Sequence, residues 1–189
     1  MRAPGLLRAR PEQARRARRR IQCEMSRAFV KEEDGRPDDL PERPVSEHVN
    51  YVTPQGLRGL QEQAAELEGQ RLALLSQGDD AMALERLAHI DRNLRYVVSR
   101  IESAKVVDPA AQPRDEVAFG AAVTVAEAHG VRRTFTIVGE DEADSRNGRI
   151  SHVSPLAAAL LGARVGDVVL WRRPAGDTEL TVEAVDYPS

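Results

Sequence analysis

The stretch ALERLAHIDRNLRYVVSRIESA, residues 83–104, decides the first half of the fold. Its apolar side chains recur in alternating steps of four and three residues, which is the spacing of one face of a long helix. These side chains are Ala83, Leu87, Ile90, Leu94, Val97, Ile101 and Ala104. The series has no break and stops before Asp108-Pro109, so it predicts one helix through the whole stretch.

A second apolar series with the same spacing lies upstream and is interrupted only by Arg71. Its members are Leu57, Leu60, Ala64, Leu67 and Leu74. Thr53-Pro54 has the residue types that open a helix, an N-cap followed by proline at the first helical position. Two such helices joined by a short turn predict an antiparallel coiled-coil hairpin over residues 53–107.

The turn between the two series reads SQGDD at residues 76–80. Gly78 can end the first helix, and Asp79 or Asp80 can cap the second. The same two carboxylates would stand at the far end of a hairpin roughly 35–40 Å long. A hairpin of this kind either dimerises or reaches into a partner, and spacing alone favours the turn and capping role for Asp79 and Asp80.

Beyond residue 116 the apolar period changes to two, which indicates β-strands. Ser154-Pro155 opens a short helix and Gly162 ends it. The strands are predicted at residues 117–125, 133–138, 168–171 and 179–185. The fold class is therefore α+β: after a linker at 108–116, an antiparallel sheet of four or five strands with one short helix occupies 117–187. Its small core is expected to draw on Phe119, Phe135, Leu160 and Trp171.

The net charge of −3 over 189 residues hides a basic segment. Residues 1–24 hold eight arginines against two glutamates, a net of +6, which leaves −9 for the rest. So acidic a body argues against stand-alone DNA binding. Residues 1–24 fit a basic arm for nucleic acid, an organellar transit peptide, or a start codon placed too early, with translation beginning at Met25.

Residues 25–52 alternate carboxylates with prolines, which predicts a disordered segment. A short docking motif around residues 28–30, AFV, is the functional alternative. No run of 18 apolar residues occurs, so no membrane span is expected. The single cysteine, Cys23, excludes a disulfide framework.

Catalytic motifs are missing from the sequence. The four histidines (His48, His89, His129 and His152) are scattered, without the spacing of metal ligands. No phosphate-binding or nucleophile-elbow motif occurs, which argues against a stand-alone hydrolase or nucleotide-binding enzyme. The acidic run at residues 140–144, EDEAD, is predicted to be a solvated loop.

Several motifs, in order along the chain, resemble the GreA/GreB family of bacterial transcript-cleavage factors. Its C-terminal signature is matched by VGEDEAD (138–144), GRIS (148–151), SPLAAALLG (154–162) and VGDVV (165–169). VAFGA (117–121) resembles the start of that domain. VTPQGL (52–57), IDRNLRY (90–96) and AKVVD (104–108) resemble the helical part, the last two in a GreB-like form. The resemblance extends from Tyr51 through the C-terminal domain.

The resemblance implies a coiled-coil hairpin followed by an FKBP-like domain. It implies a cytoplasmic accessory factor, expected to be a monomer, that binds RNA polymerase at its secondary channel. Nascent RNA and DNA would be met only inside the elongation complex. Docking would rest on Val153, Ser154, Pro155 and Leu156. Asp79 and Asp80 would help hold Mg²⁺ at the polymerase active site; no other cofactor and no metal of its own are implied.

The tip departs from the family pattern. The family reads GDLSENAEY there, whereas residues 78–85 read GDDAMALE, and each helix is shorter by about one heptad, roughly 10 Å of reach. Val153 also replaces an acidic residue common in the family. A non-cleaving homologue that occupies the channel, like the regulator of nucleoside diphosphate kinase, is therefore the first alternative. An FKBP-type peptidyl-prolyl isomerase and a homodimeric structural coil are the others.

Overall fold

The computed structural model describes residues 40–76, 81–127 and 130–187. Two long helices open the fold, α1 at Pro54–Leu75 and α2 at Ala81–Glu102. Thr53 is the N-cap of α1, and its hydroxyl accepts a hydrogen bond from the Gly56 amide at 2.9 Å. The two predicted helices are thereby confirmed, while Gly78, Asp79 and Asp80 lie outside the described residues.

The helices pack along the predicted apolar faces and run in opposite directions. Leu60, early in α1, packs with Val97, late in α2, and both are buried together with Val52. Near the other end Arg71 donates to Asp91 at 2.7 Å. The residue that interrupts the first apolar series is therefore paired across the helix interface. Half-buried side chains that complete this cluster are Leu57, Ala64, Leu67, Tyr96, Ile101 and Ala104.

Two short strands flank the helices, β1 at Tyr51–Val52 and β2 at Lys105–Val106. They pair in parallel, Tyr51 with Lys105 and Val52 with Val106. The chain therefore enters α1 and leaves α2 side by side.

A curled five-stranded sheet forms the C-terminal part. Its strands are β3 (Ala122–Glu127), β4 (Arg132–Val138), β5 (Arg149–Ser151), β6 (Val168–Trp171) and β7 (Thr178–Asp186), in the order β5-β4-β3-β7-β6. The prediction of an antiparallel sheet is wrong for β5, which pairs with β4 in parallel. The reason is the ten residues 139–148, long enough to carry the chain back along β4 through two 3₁₀ turns, Glu140–Glu142 and Ser145–Asn147.

Helix α3, Pro155–Leu160, packs against the sheet and supplies much of its core. The buried residues of this core are Val117, Ala121, Val123, Val125, Ile137, Leu156, Ala157, Leu160, Ala163, Leu180, Val182 and Tyr187. Phe135 and Trp171 pack against it with ring centroids 6.4 Å apart. Phe119, predicted in this core, packs instead against Tyr51 and His152.

The predicted strand at 117–125 begins too early, because β3 starts only at Ala122. Val117 exchanges backbone hydrogen bonds with the end of α3: its amide donates to Ala163, and its carbonyl accepts from Gly162, both at 2.8 Å. Gly120 then turns the chain at a φ of 89°. The apolar alternation that suggested a strand here has two separate causes: Val117 is buried in the core of the sheet, and Phe119 packs against Tyr51 and His152.

The prediction of disorder through residue 52 is wrong for residues 40–52. Asn50 is buried, and its side-chain amide donates to the Arg100 carbonyl at 2.8 Å. Glu42 forms an ion pair with Arg95 at 2.7 Å, and the Arg43 guanidinium lies 3.8 Å from the centre of the Tyr96 ring. The partners that order this segment are on α2, some fifty residues away. Within the part of the chain that the structure describes, no helix is long and apolar enough to span a membrane.

Candidate functional site

The segment that follows β5 is a tight turn leading into α3. The His152 amide donates to the carbonyl of Val138 at 2.9 Å, which extends the β4–β5 pairing by one residue. The Ser154 amide then donates to the Ser151 carbonyl at 2.9 Å. These bonds fix residues 152–154 against the edge of the sheet.

Ser154 starts α3 as the sequence predicts. Its Oγ accepts a hydrogen bond from the Ala157 amide at 3.2 Å, and Pro155 occupies the first turn, where its missing N–H costs nothing. The backbone conformation of this segment is therefore set locally and does not require a partner.

The four residues predicted to face a partner divide into two groups. Val153 is 36% exposed and Pro155 is also exposed, while Ser154 is half-buried. Leu156 is only 4% exposed and lies in the core of the sheet. The expectation that Leu156 contacts a partner is therefore wrong, because its side chain points inward from the first turn of α3. An exposed face of Val153 and Pro155, with Ser154 between them, remains.

A cluster of three rings borders this face. Tyr51 lies 5.9 Å from Phe119 and 5.6 Å from His152, and Phe119 lies 5.7 Å from His152, centroid to centroid. The contacts with His152 are edge-to-face, the favoured arrangement for such pairs. Sequence reasoning did not bring these rings together, because they come from three segments with no shared period.

The acidic run 140–144 is not the solvated loop that the sequence suggested. Glu142 is 8% exposed, and its carboxylate accepts a hydrogen bond from the Thr53 amide at 2.9 Å. The Asp141 side chain is 15% exposed and is paired with Arg100. One sequence feature is consistent with the pairing of Asp141: Tyr96 and Arg100 are two hydrogen-bond donors one helical turn apart on α2. A single sequence does not show which carboxylates such donors contact.

Asp144, at the end of the run, caps the second 3₁₀ turn. It accepts from the Asn147 side chain at 2.7 Å and from the Arg146 amide at 3.1 Å. The Asn147 bond, with further help from backbone amides and Arg149, lowers the pKa of Asp144 from its ordinary value. Its role is to hold the turn that starts β5.

The tip carboxylates Asp79 and Asp80 lie outside the described residues, so their geometry is not part of the site. Among residues 40–76, 81–127 and 130–187, no group of three or more histidine, cysteine, aspartate or glutamate side chains is arranged to hold a metal ion. The candidate site among the described residues is therefore the exposed face of Val153 and Pro155 with Ser154 between them.

Comparison with known proteins assigns this part of the chain to a family. The family model "Transcription elongation factor, GreA/GreB, C-term" matches residues 112–187, which hold the sheet, the acidic run and α3. The transcription elongation factor GreB of Neisseria meningitidis (serogroup A) is 34% identical over 157 residues, covering 75% of this chain and 96% of that protein. The chain belongs to the GreA/GreB family.

Two further GreA/GreB relatives extend the comparison. The transcription elongation factor GreA of Anaeromyxobacter sp. (strain K) is 41% identical over 106 residues, covering 56% of this chain and 64% of that protein. The solved structure of the elongation factor GreA/GreB from Nitrosomonas europaea is 21% identical, covers 73% of this chain and 99% of that chain, and superposes with a TM-score of 0.37. The match to GreB includes more of the chain than residues 112–187 contain, so the similarity extends into the helices.

Proposed function

We propose that this protein is an elongation factor that binds RNA polymerase at the secondary channel and acts on elongation from within it. The observation that carries the proposal is the similarity to GreB over 96% of that protein's length. The finer description of the fold is part of the proposal: α1 and α2 form a coiled-coil hairpin, and residues 117–187 form an FKBP-like domain. The factor is an accessory without catalysis of its own, works as a monomer and acts in the cytoplasm.

The docking face consists of Val153, Ser154 and Pro155. Support comes from the exposure of Val153 and Pro155 and from the Ser154 cap, which holds the segment in one conformation before any partner arrives. A preformed face loses little conformational entropy on binding. An apolar face of this kind suits a partner that offers apolar side chains of its own.

Docking is tested by measuring the affinity of RNA polymerase for Pro155→Asp and Val153→Lys. We expect either variant to weaken binding by about tenfold or more, because a charged group would be desolvated in an apolar contact; lysine is used at position 153 because an acidic residue is common there in the family. Val131→Asp is the matched control. Val131 is also exposed, but it precedes β4, whereas the docking segment is hydrogen-bonded to Val138 at the other end of that strand, about 20 Å away. Equal binding by all three variants would contradict this docking face.

Transcript cleavage is a separate part of the proposal. Asp79 and Asp80 have the oxygen ligands that Mg²⁺ prefers, and in the sequence they come between the end of α1 at Leu75 and the start of α2 at Ala81. When bound at the polymerase active site, the ion supplies charge stabilisation for phosphodiester cleavage. Asp79 and Asp80 would add ligands to that ion and would bind no metal in the free protein.

The second candidate is a non-cleaving factor that occupies the channel and competes with cleavage factors. The tip sequence favours it, since GDDAMALE at 78–85 lacks the SENAEY block of the family. The described helices have 22 residues each, about 33 Å at 1.5 Å per residue.

One assay separates the two. A backtracked elongation complex is incubated with the unmodified protein and with the double variant Asp79→Asn/Asp80→Asn. Shortening of the transcript by the unmodified protein alone supports cleavage through the tip. No shortening, together with inhibition of an added cleavage factor, supports the channel-occupying role.

The isomerase alternative gains no support from the structure. It requires an aromatic-lined pocket, and the four Phe, Trp and Tyr residues of 117–187 are engaged in other contacts. Phe135 and Trp171 pack on the core, and the buried Tyr187 donates its hydroxyl hydrogen to the Glu116 carbonyl at 2.7 Å. Phe119 belongs to the ring cluster with Tyr51 and His152.

A further inference from the structure

The 3₁₀ turn Glu140–Glu142 contacts both helices through two consecutive carboxylates. Glu142 holds the start of α1. Its Oε1 accepts from the Thr53 amide at 2.9 Å and from the Gly139 amide at 3.3 Å, and its Oε2 accepts the Thr53 hydroxyl hydrogen at 2.6 Å. The same Thr53 hydroxyl accepts a hydrogen bond from the Gly56 amide, so a chain of hydrogen bonds joins the carboxylate to the first turn of the helix.

Asp141 holds the end of α2. It accepts from the Arg100 Nε at 2.5 Å and from the Tyr96 hydroxyl at 2.7 Å. Tyr96 and Arg100 are one turn apart on the same face of α2, and the Arg100 side chain is only 2% exposed. Glu140 adds a longer ion pair to Arg100 at 3.6 Å. A guanidinium so deeply buried requires these partners, because an unpaired buried charge is strongly unfavourable.

The apolar cores do not provide this connection. In the described residues, one buried cluster belongs to the sheet and α3, and a separate one belongs to β1 and the two helices. Contacts between the two parts are made by the ring cluster at Tyr51, by Gly139, which lies against the backbone of Tyr51 and Val52, and by the turn Glu140–Glu142. Of these, the turn makes polar contacts with both helices, and these contacts constrain the direction in which the helices leave the sheet.

The length of the helices amplifies any error in that direction. A helix of 22 residues is about 33 Å long, so a rotation of about 10° at its base displaces its far end by about 6 Å. Placement of a reacting or metal-binding group is sensitive to displacements of about 1 Å. A small change in the angle at the turn would thus produce a displacement of several Å at the far end of the helices.

We propose that Asp141, Glu142, Tyr96 and Arg100 are positioning residues. They set the direction of the helix pair relative to the sheet domain that docks on polymerase. The inference rests on the proposed function, since it assigns a task to the far end of the helices. Two predictions follow. Loss of one of the contacts between these residues alters the angle between the helices and the sheet in the free protein. The same loss impairs the action of the helix tip on elongation more than it impairs binding to polymerase.

The first measurement uses the full-length free protein. Spin labels are attached at Glu85→Cys, exposed near the start of α2, and at Val131→Cys, beside the sheet, in a Cys23→Ser background. Pulsed dipolar spectroscopy then gives the distance distribution for the parent and for Asp141→Asn, Arg100→Lys and Tyr96→Phe. We expect a broadened or displaced distribution in all three, smallest for Tyr96→Phe, which loses one hydrogen bond and no charge.

Asp91→Asn is the matched control. It breaks the 2.7 Å pair between Arg71 and Asp91, which joins the two helices to each other but not to the turn. It should leave the distance between the two labels unchanged. Thermal unfolding of each variant identifies any that fails to fold, and Tyr96→Phe, the mildest change, keeps the test available if Asp141→Asn unfolds.

The second measurement separates binding from action. Polymerase affinity is compared with the rate of cleavage, or the extent of inhibition of an added cleavage factor, at saturating factor. We expect Asp141→Asn to keep its affinity and to lose about tenfold or more of its effect at saturation. Unchanged label distances, or full action at saturation by the variants, would overturn the positioning role. Absence of polymerase binding by the unmodified protein would instead contradict the proposed function, and the label distances would still decide whether the turn sets the angle.

Discussion

Gly56 leaves room for the carboxylate of Glu142. A Cβ at position 56 would overlap the Glu142 side chain, which reaches the first turn of α1 from the 3₁₀ turn Glu140–Glu142. The glycine in the segment VTPQGL is thus explained by a residue 86 positions later in the chain. A glycine inside a helix is normally a cost, and here the close approach of the carboxylate requires it.

Gly56→Ala is expected to lower the free energy of unfolding by about 1–3 kcal/mol, because the added methyl group displaces Glu142 from Thr53. Gly59→Ala is the matched control, one turn later on α1 and with no atom within 4 Å of the added Cβ. It should raise stability by about 0.5–1 kcal/mol through helix propensity. Denaturant unfolding of both variants measures the effects; a stabilised Gly56→Ala would contradict the close approach.

Leu160→Ala is expected to destabilise the protein by about 2–5 kcal/mol, because Leu160 is fully buried between α3 and the sheet. The neighbouring Leu161 is 40% exposed, and Leu161→Ala should change stability by no more than about 0.5 kcal/mol. Chemical denaturation monitored by Trp171 fluorescence reports on this part of the fold. Similar losses for both variants would contradict the inward orientation of Leu160 and the exposure of Leu161.

Tyr96 should titrate at higher pH than an ordinary tyrosine. Burial first, and then the hydrogen bond to Asp141, raise the pKa of Tyr96 above 10.0. Since the folded pKa is raised, the contribution to stability is present below pH 10.0 and is lost as the pH rises through the folded pKa. NMR of labelled tyrosine, assigned with Tyr96→Phe, measures the pKa, and Asp141→Asn should lower it. A Tyr96 pKa that does not respond to Asp141→Asn would argue against the hydrogen bond.

The pKa of Asp144 should be shifted in the opposite direction, downward, so its effect on stability should appear at acid pH. Its pKa lies below the ordinary 3.8, chiefly through the Asn147 side chain, so its contribution is present above pH 3.8 and is lost as the pH falls through the folded pKa. Asn147→Ala removes the main donor and should raise the pKa of Asp144 towards 3.8. NMR titration of the Asp144 carboxyl carbon in both proteins checks the shift, and identical values would refute the assignment to Asn147.

The helices were the most predictable part of the fold, because their signal is local and repeated. Every apolar position of the two heptad series is buried or half-buried, and Thr53 and Ser154 cap the helices that they were expected to open. The start of β3 was missed because the apolar side chains before it, Val117 and Phe119, are buried by tertiary contacts and not by strand pairing. The parallel pairing of β5 was missed because strand direction depends on the path of residues 139–148, which no period records.

The candidate site was less predictable for the same physical reason. Val153 and Pro155 are exposed and their docking role stays a prediction, while the inward direction of Leu156 depends on where α3 meets the sheet. The burial of Glu142 depends on Thr53, and the pairing of the Asp141 side chain depends on Tyr96 and Arg100. These are tertiary contacts, so the sequence of the acidic run alone predicts only a solvated loop.

The parallel pairing of β1 with β2 holds the two ends of the helix pair together, so the length of the helices can vary without a change at this junction. Both ends of the 54–102 segment return to adjacent positions, so heptads can be added to or removed from both helices without changing the geometry at which the segment joins the sheet. The length of the helix pair and the geometry of its junction with the sheet can therefore change independently in this architecture. Lengthening each helix by one heptad would extend the pair by about 10 Å and would leave the pairing of β1 with β2 unchanged.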